Sequence, residues 1–358
     1  MALKFLNGSA GKGRNQMMVV DLGSRTTKAL LVERRGDSLA LLRYALLDAP
    51  IFHKKISPEL LAEHLTAVSE ALGSTTKNVT LTVGQDDLVM RQVDMPPIAK
   101  EEMRAVIKTN AKSYLQQDFP NPVVDCHAFP PRANVSSGEA GKVSPSSNKV
   151  KVLVAGVRDQ FIDDMLAAVK TAGLTAHGII PGVICPVNAF EMAVPDLFAS
   201  ESVMLVDIGF KQTSVCVVDR GELTLNRMVN IGGDQLTAGL AEAMSISYAE
   251  AEGIKVGMAP EVQSMLEMQI TPLGRELRAS LDFVEHQQDR PVSQVFVSGG
   301  SAQSEMILQM LHAEMFVDCK TWNATKCLQL SLSESQAAEI THVASQLTVA
   351  AGAALTAF

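Results

Sequence analysis

The chain lacks any apolar stretch near the roughly 18 residues that a membrane span needs. The best candidate, Leu347 to Phe358, is short and rich in Ala, Gly and Thr. A basic surplus is missing as well: 31 Lys and Arg stand against 39 Asp and Glu, for a net charge of −8. That excludes a nucleic-acid partner held by bulk attraction, which requires a basic footprint. Residues 1–17 carry Lys4, Lys12 and Arg14 without an apolar core, so no signal peptide is expected. Cysteines number only five, with no CxxC pair and no histidine at zinc-ligand spacing. This excludes a zinc ribbon and a disulfide framework, and it reads as reduced thiols in a cytoplasmic protein. Aromatics make up 4% and the single Trp is Trp322, so no Trp-bearing sugar platform is on offer.

What is present is a foldable chain. Its 358 residues are 47% hydrophobic and 20% charged, enough for about two domains of roughly 150 residues. Its most informative feature is an internal repeat. Met18-Val-Val-Asp21-Leu-Gly23-Ser-Arg-Thr-Thr27 matches Met204-Leu-Val-Asp207-Ile-Gly209-Phe-Lys-Gln-Thr213 at a constant offset of 186 residues. Each copy continues through an apolar run into a basic-Gly-acidic turn, Arg35-Gly36-Asp37 and Arg220-Gly221-Glu222, and then into a third apolar run. Two copies in register predict a duplicated strand–turn–strand–turn–strand unit and two similar α/β halves.

The chemistry of each turn follows from its residues. Asp ends a buried strand, and Gly lets the backbone approach a ligand without a Cβ. The N–H groups and the Thr hydroxyl beyond it are donors for phosphate oxygens, and Asp holds magnesium through water. Either turn alone reads more simply as an ordinary β-turn using Asp and Gly for its bend, whereas the two together favour phosphate binding. Two further elements suit a phosphate site. Val295-Phe-Val-Ser298-Gly299-Gly300-Ser301 is a short strand entering two glycines before a helix, and Gly232-Gly233-Asp234 precedes a helix over 235–244, with Asp234 also a candidate cap.

The middle segment has a different texture. Its pattern predicts strands at 79–83, 88–95, 123–129 and 149–157, and helices at 100–115 and 158–172. Met95-Pro96-Pro97 separates strand from helix. A polar, Ser- and Gly-rich stretch over 134–148 is expected to be a mobile loop.

Together the two D-x-G turns, the Gly232-Gly233-Asp234 element and the Ser298-Gly299-Gly300 turn resemble the actin-like nucleotide-binding superfamily, and within it the PilM type of pilus assembly protein. The resemblance runs from about Met17 to Phe358. Val20-Asp21-Leu-Gly-Ser-Arg-Thr-Thr-Lys28 looks like its first phosphate motif. Ala249-Glu-Ala-Glu252-Gly-Ile-Lys255 looks like its ribose element, and Arg275-Glu-Leu-Arg278 its helix near the adenine. The resemblance implies an α/β, two-lobed fold (a duplicated ribonuclease H-like unit) with an inserted α+β subdomain. It implies ATP and Mg²⁺ as cofactors. The implied nucleotide contacts are Asp21, Gly23, Ser24, Arg25, Thr26, Thr27, Lys28, Asp207, Gly209, Lys211, Gln212, Thr213, Gly232, Gly233, Asp234, Glu252, Lys255, Arg278, Gly299, Gly300 and Ser301, with Asp21 and Asp207 holding the metal through water. No catalytic residue is assigned, and at most slow ATP hydrolysis is expected.

The implied partition is a flexible leader at 1–16; a first lobe from 17–78, 175–198 and 341–358; an inserted subdomain at 79–174; and a second lobe at 199–340, with a smaller part near 235–290. The implied role is a cytoplasmic ATP-binding adaptor at the inner face of the inner membrane, in a type IV pilus or type II secretion-like platform. It would dock the cytoplasmic tail of a PilN-like membrane protein, with self-association possible. Two alternatives are an FtsA-like filament-forming scaffold and a sugar or small-acid kinase. The first is expected to carry a basic amphipathic C-terminal helix, and residues 341–358 hold no Lys or Arg. Departures from the family pattern sit at the turns: Arg25 where a serine is usual, Phe210 and Lys211 where small residues are preferred, and Ser301 where a third glycine is common.

Overall fold

The computed structural model describes residues 1, 3–5, 15–51, 55–84, 88–118, 120–130, 149–257, 262–302 and 304–358. Their strands are β1 (Gln16–Leu22), β2 (Thr26–Arg35), β3 (Ser38–Asp48), β4 (Asn78–Val83), β5 (Leu88–Met95), β6 (Pro122–Ala128), β7 (Val150–Arg158), β8 (Thr175–Pro181), β9 (Ser202–Ile208), β10 (Thr213–Asp219), β11 (Glu222–Val229), β12 (Gln294–Gly299), β13 (Cys319–Thr321) and β14 (Gln329–Leu330). They form sheets of order β14-β3-β2-β1-β4-β8, β11-β10-β9-β12-β13 and β5-β7-β6.

The internal repeat is the framework of the two larger sheets. β1 pairs antiparallel with β2 and parallel with β4; β9 pairs antiparallel with β10 and parallel with β12. The order β3-β2-β1-β4-β8 thus has its counterpart in β11-β10-β9-β12-β13. Met17–Val20 and Val203–Val206 are buried along their length, as central strands covered on both faces require. The crossover from β3 to β4 is the helix Pro58–Ala71. Ser57 caps it by accepting from the Leu60 N–H, and Pro58 sits where no N–H is needed. In the second half the crossover from β11 to β12 carries the helices Gly233–Met244, Tyr248–Gly257 and Gln263–Gln288. Phe190 of the first half packs tilted on Phe296 and edge-to-face on Trp322 of the second, at centroid distances of 4.7 and 5.2 Å.

The third sheet packs Met95, Cys126, Val152 and Val154 against Met103, Ile107 and Leu115. The strands of the middle segment fall within a residue or so of expectation. The expected helix over 100–115 divides into Lys100–Thr109 and Ala111–Leu115, because Asn110 leaves helical geometry at φ −117° and ψ 37°. Asn competes for backbone hydrogen bonds and so interrupts helices.

Three boundaries differ from the expected partition. β4 belongs to the first sheet, and the helix Asp159–Thr171 packs on Pro58–Ala71, so the inserted unit is the β5-β7-β6 sheet with its helices. β14 pairs with β3, which returns residues 329–330 from the second half to the first. The described start of the expected leader is not loose: Leu3 and Phe5 are buried in the main core. The rest of that leader over 6–14, and the loop expected at 134–148, lie outside the described residues.

Candidate functional site

The ends of β1 and β9 face one cavity of about 1040 Å³ between the two halves. Both D-x-G turns are built alike. A Cβ on Gly23 would sit 2.4 Å from the Thr26 carbonyl oxygen, and one on Gly209 would sit 2.7 Å from that of Gln212. Glycine at each place is therefore a requirement of the tight turn, whatever else it does. Gly299 has φ +95°, and a Cβ there would meet the Ile208 carbonyl oxygen at 2.3 Å, so this turn also needs glycine to lie against β9.

The two aspartates feel each other across the cavity. Asp21 accepts from the Thr82 hydroxyl at 2.7 Å and lies 3.4 Å from the Lys28 ammonium. Asp207 accepts from the Ser298 hydroxyl at 2.8 Å. Burial pushes the Asp207 carboxyl above its ordinary range, and the charge on Asp21 pushes the same way; the Ser298 bond and Lys28 oppose this. Beside them Lys255 donates to Thr237 Oγ1 at 2.7 Å and to the Gly233 carbonyl at 3.3 Å, and pairs with Glu252 at 2.7 Å. Burial alone would raise the Glu252 carboxyl, but the bonds from Lys255 and Thr237 outweigh it and hold the group below the usual range.

Of the expected contacts, Asp21, Gly23, Ser24, Arg25, Thr26, Thr27, Lys28, Asp207, Gly209, Lys211, Gln212, Gly233, Glu252, Lys255, Gly299, Gly300 and Ser301 line the cavity. Four do not. Thr213 turns its hydroxyl to the Ile231 carbonyl at 2.7 Å. Gly232 lies under the second turn, where a Cβ would meet the Phe210 carbonyl oxygen at 2.5 Å. Asp234 accepts from the Tyr248 hydroxyl at 2.7 Å. Arg278 binds the Met315 carbonyl at 2.7 Å and the Asp282 carboxylate at 2.6 Å, away from the cavity. The N–H groups of Gly233 and Asp234 are also spent, on the carbonyls of Gly209 and Phe210 at 2.9 and 2.8 Å. This helix start fastens the second turn and does not present those two donors to a ligand.

His64, Thr82 and Phe161 line the cavity without a signal in the repeat. His64 shares a 2.7 Å hydrogen bond with the Thr27 hydroxyl, and burial lowers its pKa, which favours the neutral imidazole. It stands on the crossover helix, and only the packing of that helix on the sheet brings it in.

With this geometry in hand, the family model described as "Type IV pilus assembly protein PilM" matches residues 19–358. The chain belongs to the PilM family. A solved PilM–PilN type IV pilus biogenesis complex superposes with a TM-score of 0.79 at 20% identity, covering 95% of this chain and 98% of that one. The ethanolamine utilization protein EutJ from Carboxydothermus hydrogenoformans gives a TM-score of 0.53 at 14% identity, over 96% and 90%. MreB5 of Spiroplasma citri bound to ADP gives 0.51 at 10% identity, over 95% of each chain. The expected actin-like fold of this PilM-family pilus assembly protein is thereby established. Among the described residues no helix is long and apolar enough to cross a membrane.

Proposed function

We propose that this PilM-family chain is a nucleotide-dependent adaptor. It binds ATP with Mg²⁺ between the facing turns and docks the cytoplasmic tail of a PilN-type membrane protein, which holds it at the inner face of the membrane. The observation that carries the nucleotide half is the meeting of Asp21, Lys28 and Asp207 in one cavity, with Arg25, Lys211 and Lys255 on its walls. Cations there neutralise a polyphosphate, and two mutually repelling carboxylates suit a divalent ion held through its water. Asp21 and Asp207 would hold the ion, which supplies charge neutralisation between the phosphates and the two halves. Adenine nucleotide in the MreB5 structure, which shares this fold, is consistent with that use of the cavity.

Docking of a PilN-type tail is supported by the likeness to the PilM–PilN complex. A nucleotide alters docking only to the extent that it binds open and closed arrangements with different affinity. Calorimetric titration with Mg·ATP tests the nucleotide half. Saturable binding is expected, weakened about tenfold or more in Lys28→Ala. No heat and no thermal shift at millimolar Mg·ATP overturns it.

A further inference from the structure

Met1 and residues 3–5 lie in a groove with three walls. One wall is β8, the terminal strand of the six-stranded sheet, whose Ile179 carbonyl accepts from the Phe5 N–H at 3.0 Å. The second is β6 of the inserted sheet, where Asp125 accepts from the Lys4 N–H at 2.8 Å. The third is the helix Cys185–Ala193, where Asn188 donates its Nδ2 to the Met1 carbonyl at 3.0 Å. Leu3 is fully buried and Phe5 is 8% exposed, while the Lys4 stem between them passes over Gly178. That is the alternation of an extended chain with two anchors on one side.

Asp125 is held by groups outside the segment. It is 1% exposed and is fixed by Arg104 at 2.7 Å, by Lys100 at 3.2 Å and by its neighbour's N–H at 2.8 Å. A buried carboxylate that still accepts a main-chain N–H from 121 positions away reads backbone, not sequence. An uncovered terminal strand is a template for another extended chain, and backbone bonds plus alternate side-chain pockets are how sheet edges capture peptides.

We propose that this groove is a peptide-docking site which the chain fills with its own Met1, Leu3, Lys4 and Phe5, and that a partner's extended segment with large apolar side chains at alternate positions enters by displacing them. The inference rests on the docking half of the reading above and gives it a place and a competitor. Because the internal segment is tethered, it competes at an effective concentration on the order of millimolar. A partner tail therefore binds more weakly than its contacts alone allow, and removal of the two anchors strengthens its binding.

The test uses the full chain, its Leu3→Ala/Phe5→Ala variant, and two labelled probes followed by fluorescence anisotropy. One probe is a synthetic peptide with the sequence of residues 1–7. The other is the cytoplasmic tail of the PilN-type protein encoded with this chain. Both probes are expected to bind the variant at least tenfold more tightly than the unaltered chain. A 1–7 peptide carrying Leu3→Asp and Phe5→Asp is expected to bind neither. No binding of the 1–7 peptide to a cooperatively melting variant, or equal binding to both chains, overturns the proposal. Equal tail binding to both chains also overturns it while leaving the adaptor reading intact. Binding of the 1–7 peptide without any tail binding supports the groove and removes the docking half of that reading. Should the variant fail to melt cooperatively, hydrogen exchange on the unaltered chain decides. Saturating tail is expected to speed exchange at the Lys4 and Phe5 amides and to leave β8 protected. Unchanged exchange at those amides with tail bound overturns the proposal.

Discussion

Arg25, on the turn after β1, lays its guanidinium over the ring of Phe210, on the turn after β9, 5.1 Å from the centroid. Two bulky departures from the small-residue pattern of these turns thus complement each other across the cavity. An exposed contact of this kind is worth about 0.5–1 kcal/mol. Arg25 must break it to reach a phosphate. Phe210→Ala removes that cost and is expected to tighten Mg·ATP by about two- to fivefold. Arg25→Ala removes a cation and is expected to weaken binding. Calorimetric titration of the two variants against the unaltered chain checks both directions.

Asp207 supplies a pH prediction. Burial raises its pKa in the folded chain, so the folded state holds this proton more tightly than the unfolded one. The contribution to stability is fullest below the unfolded value, about 3.9, and is lost as pH rises through the folded value. Asp207→Asn abolishes that loss. It is expected to raise the melting temperature at pH 7 by roughly 2 °C and to remove the Mg²⁺-dependent part of any nucleotide-induced shift. Scanning calorimetry between pH 4 and 8, with and without Mg²⁺, provides the measurement.

Buried Thr237 and Lys255 bond to each other and to the half-buried Glu252 carboxylate, whose charge Lys255 balances. Lys255→Met leaves the Glu252 carboxylate without its cation. Removal of one partner of a buried pair costs about 3–5 kcal/mol, and a half-buried carboxylate puts this case near or below the lower end. Glu252→Gln alone costs less, and the double variant is expected to recover part of the loss. Urea unfolding of the three variants, analysed as a double-mutant cycle, isolates the coupling.

His127, on β6 beside the groove that holds Leu3 and Phe5, has its pKa pushed down to about 4, chiefly by burial. Its unfolded value is about 6.5, so the unfolded chain binds the extra proton first. Stability from this site is complete above about pH 6.5 and falls as pH drops towards the folded value. An imidazole NMR titration with a midpoint near 4 is expected for His127. In His127→Gln the decline between pH 6.5 and 4 is expected to be shallower. A His127 midpoint near 6.5 in the folded protein contradicts the burial argument.

The repeat made the fold legible because duplication writes one topology twice. Asp21 and Asp207, Gly23 and Gly209, and Thr27 and Thr213 occupy equivalent strand ends, as their spacing requires. Thr213 shows the limit of that logic. It keeps the motif position of Thr27, yet its hydroxyl serves the Ile231 carbonyl, a partner that no local pattern announces. Arg278 shows another limit. Helical spacing places it on a face but cannot say that Met315 and Asp282 claim its guanidinium. His64 was invisible because its role arises from helix-on-sheet packing, and a lone histidine in a helix carries no periodic signature. Leu3 and Phe5 were masked by composition. They precede a Gly- and Ser-rich run, and alternation over so few residues is too short to register as a strand.

The second turn and the helix Gly233–Met244 are joined by the Gly233 and Asp234 N–H groups on the Gly209 and Phe210 carbonyls. A push on that loop is a push on the helix, with little slack to absorb it. Whatever displaces Gly209 or Phe210 therefore strains two backbone bonds to the start of a helix 12 residues long, and so meets the resistance of that whole helix.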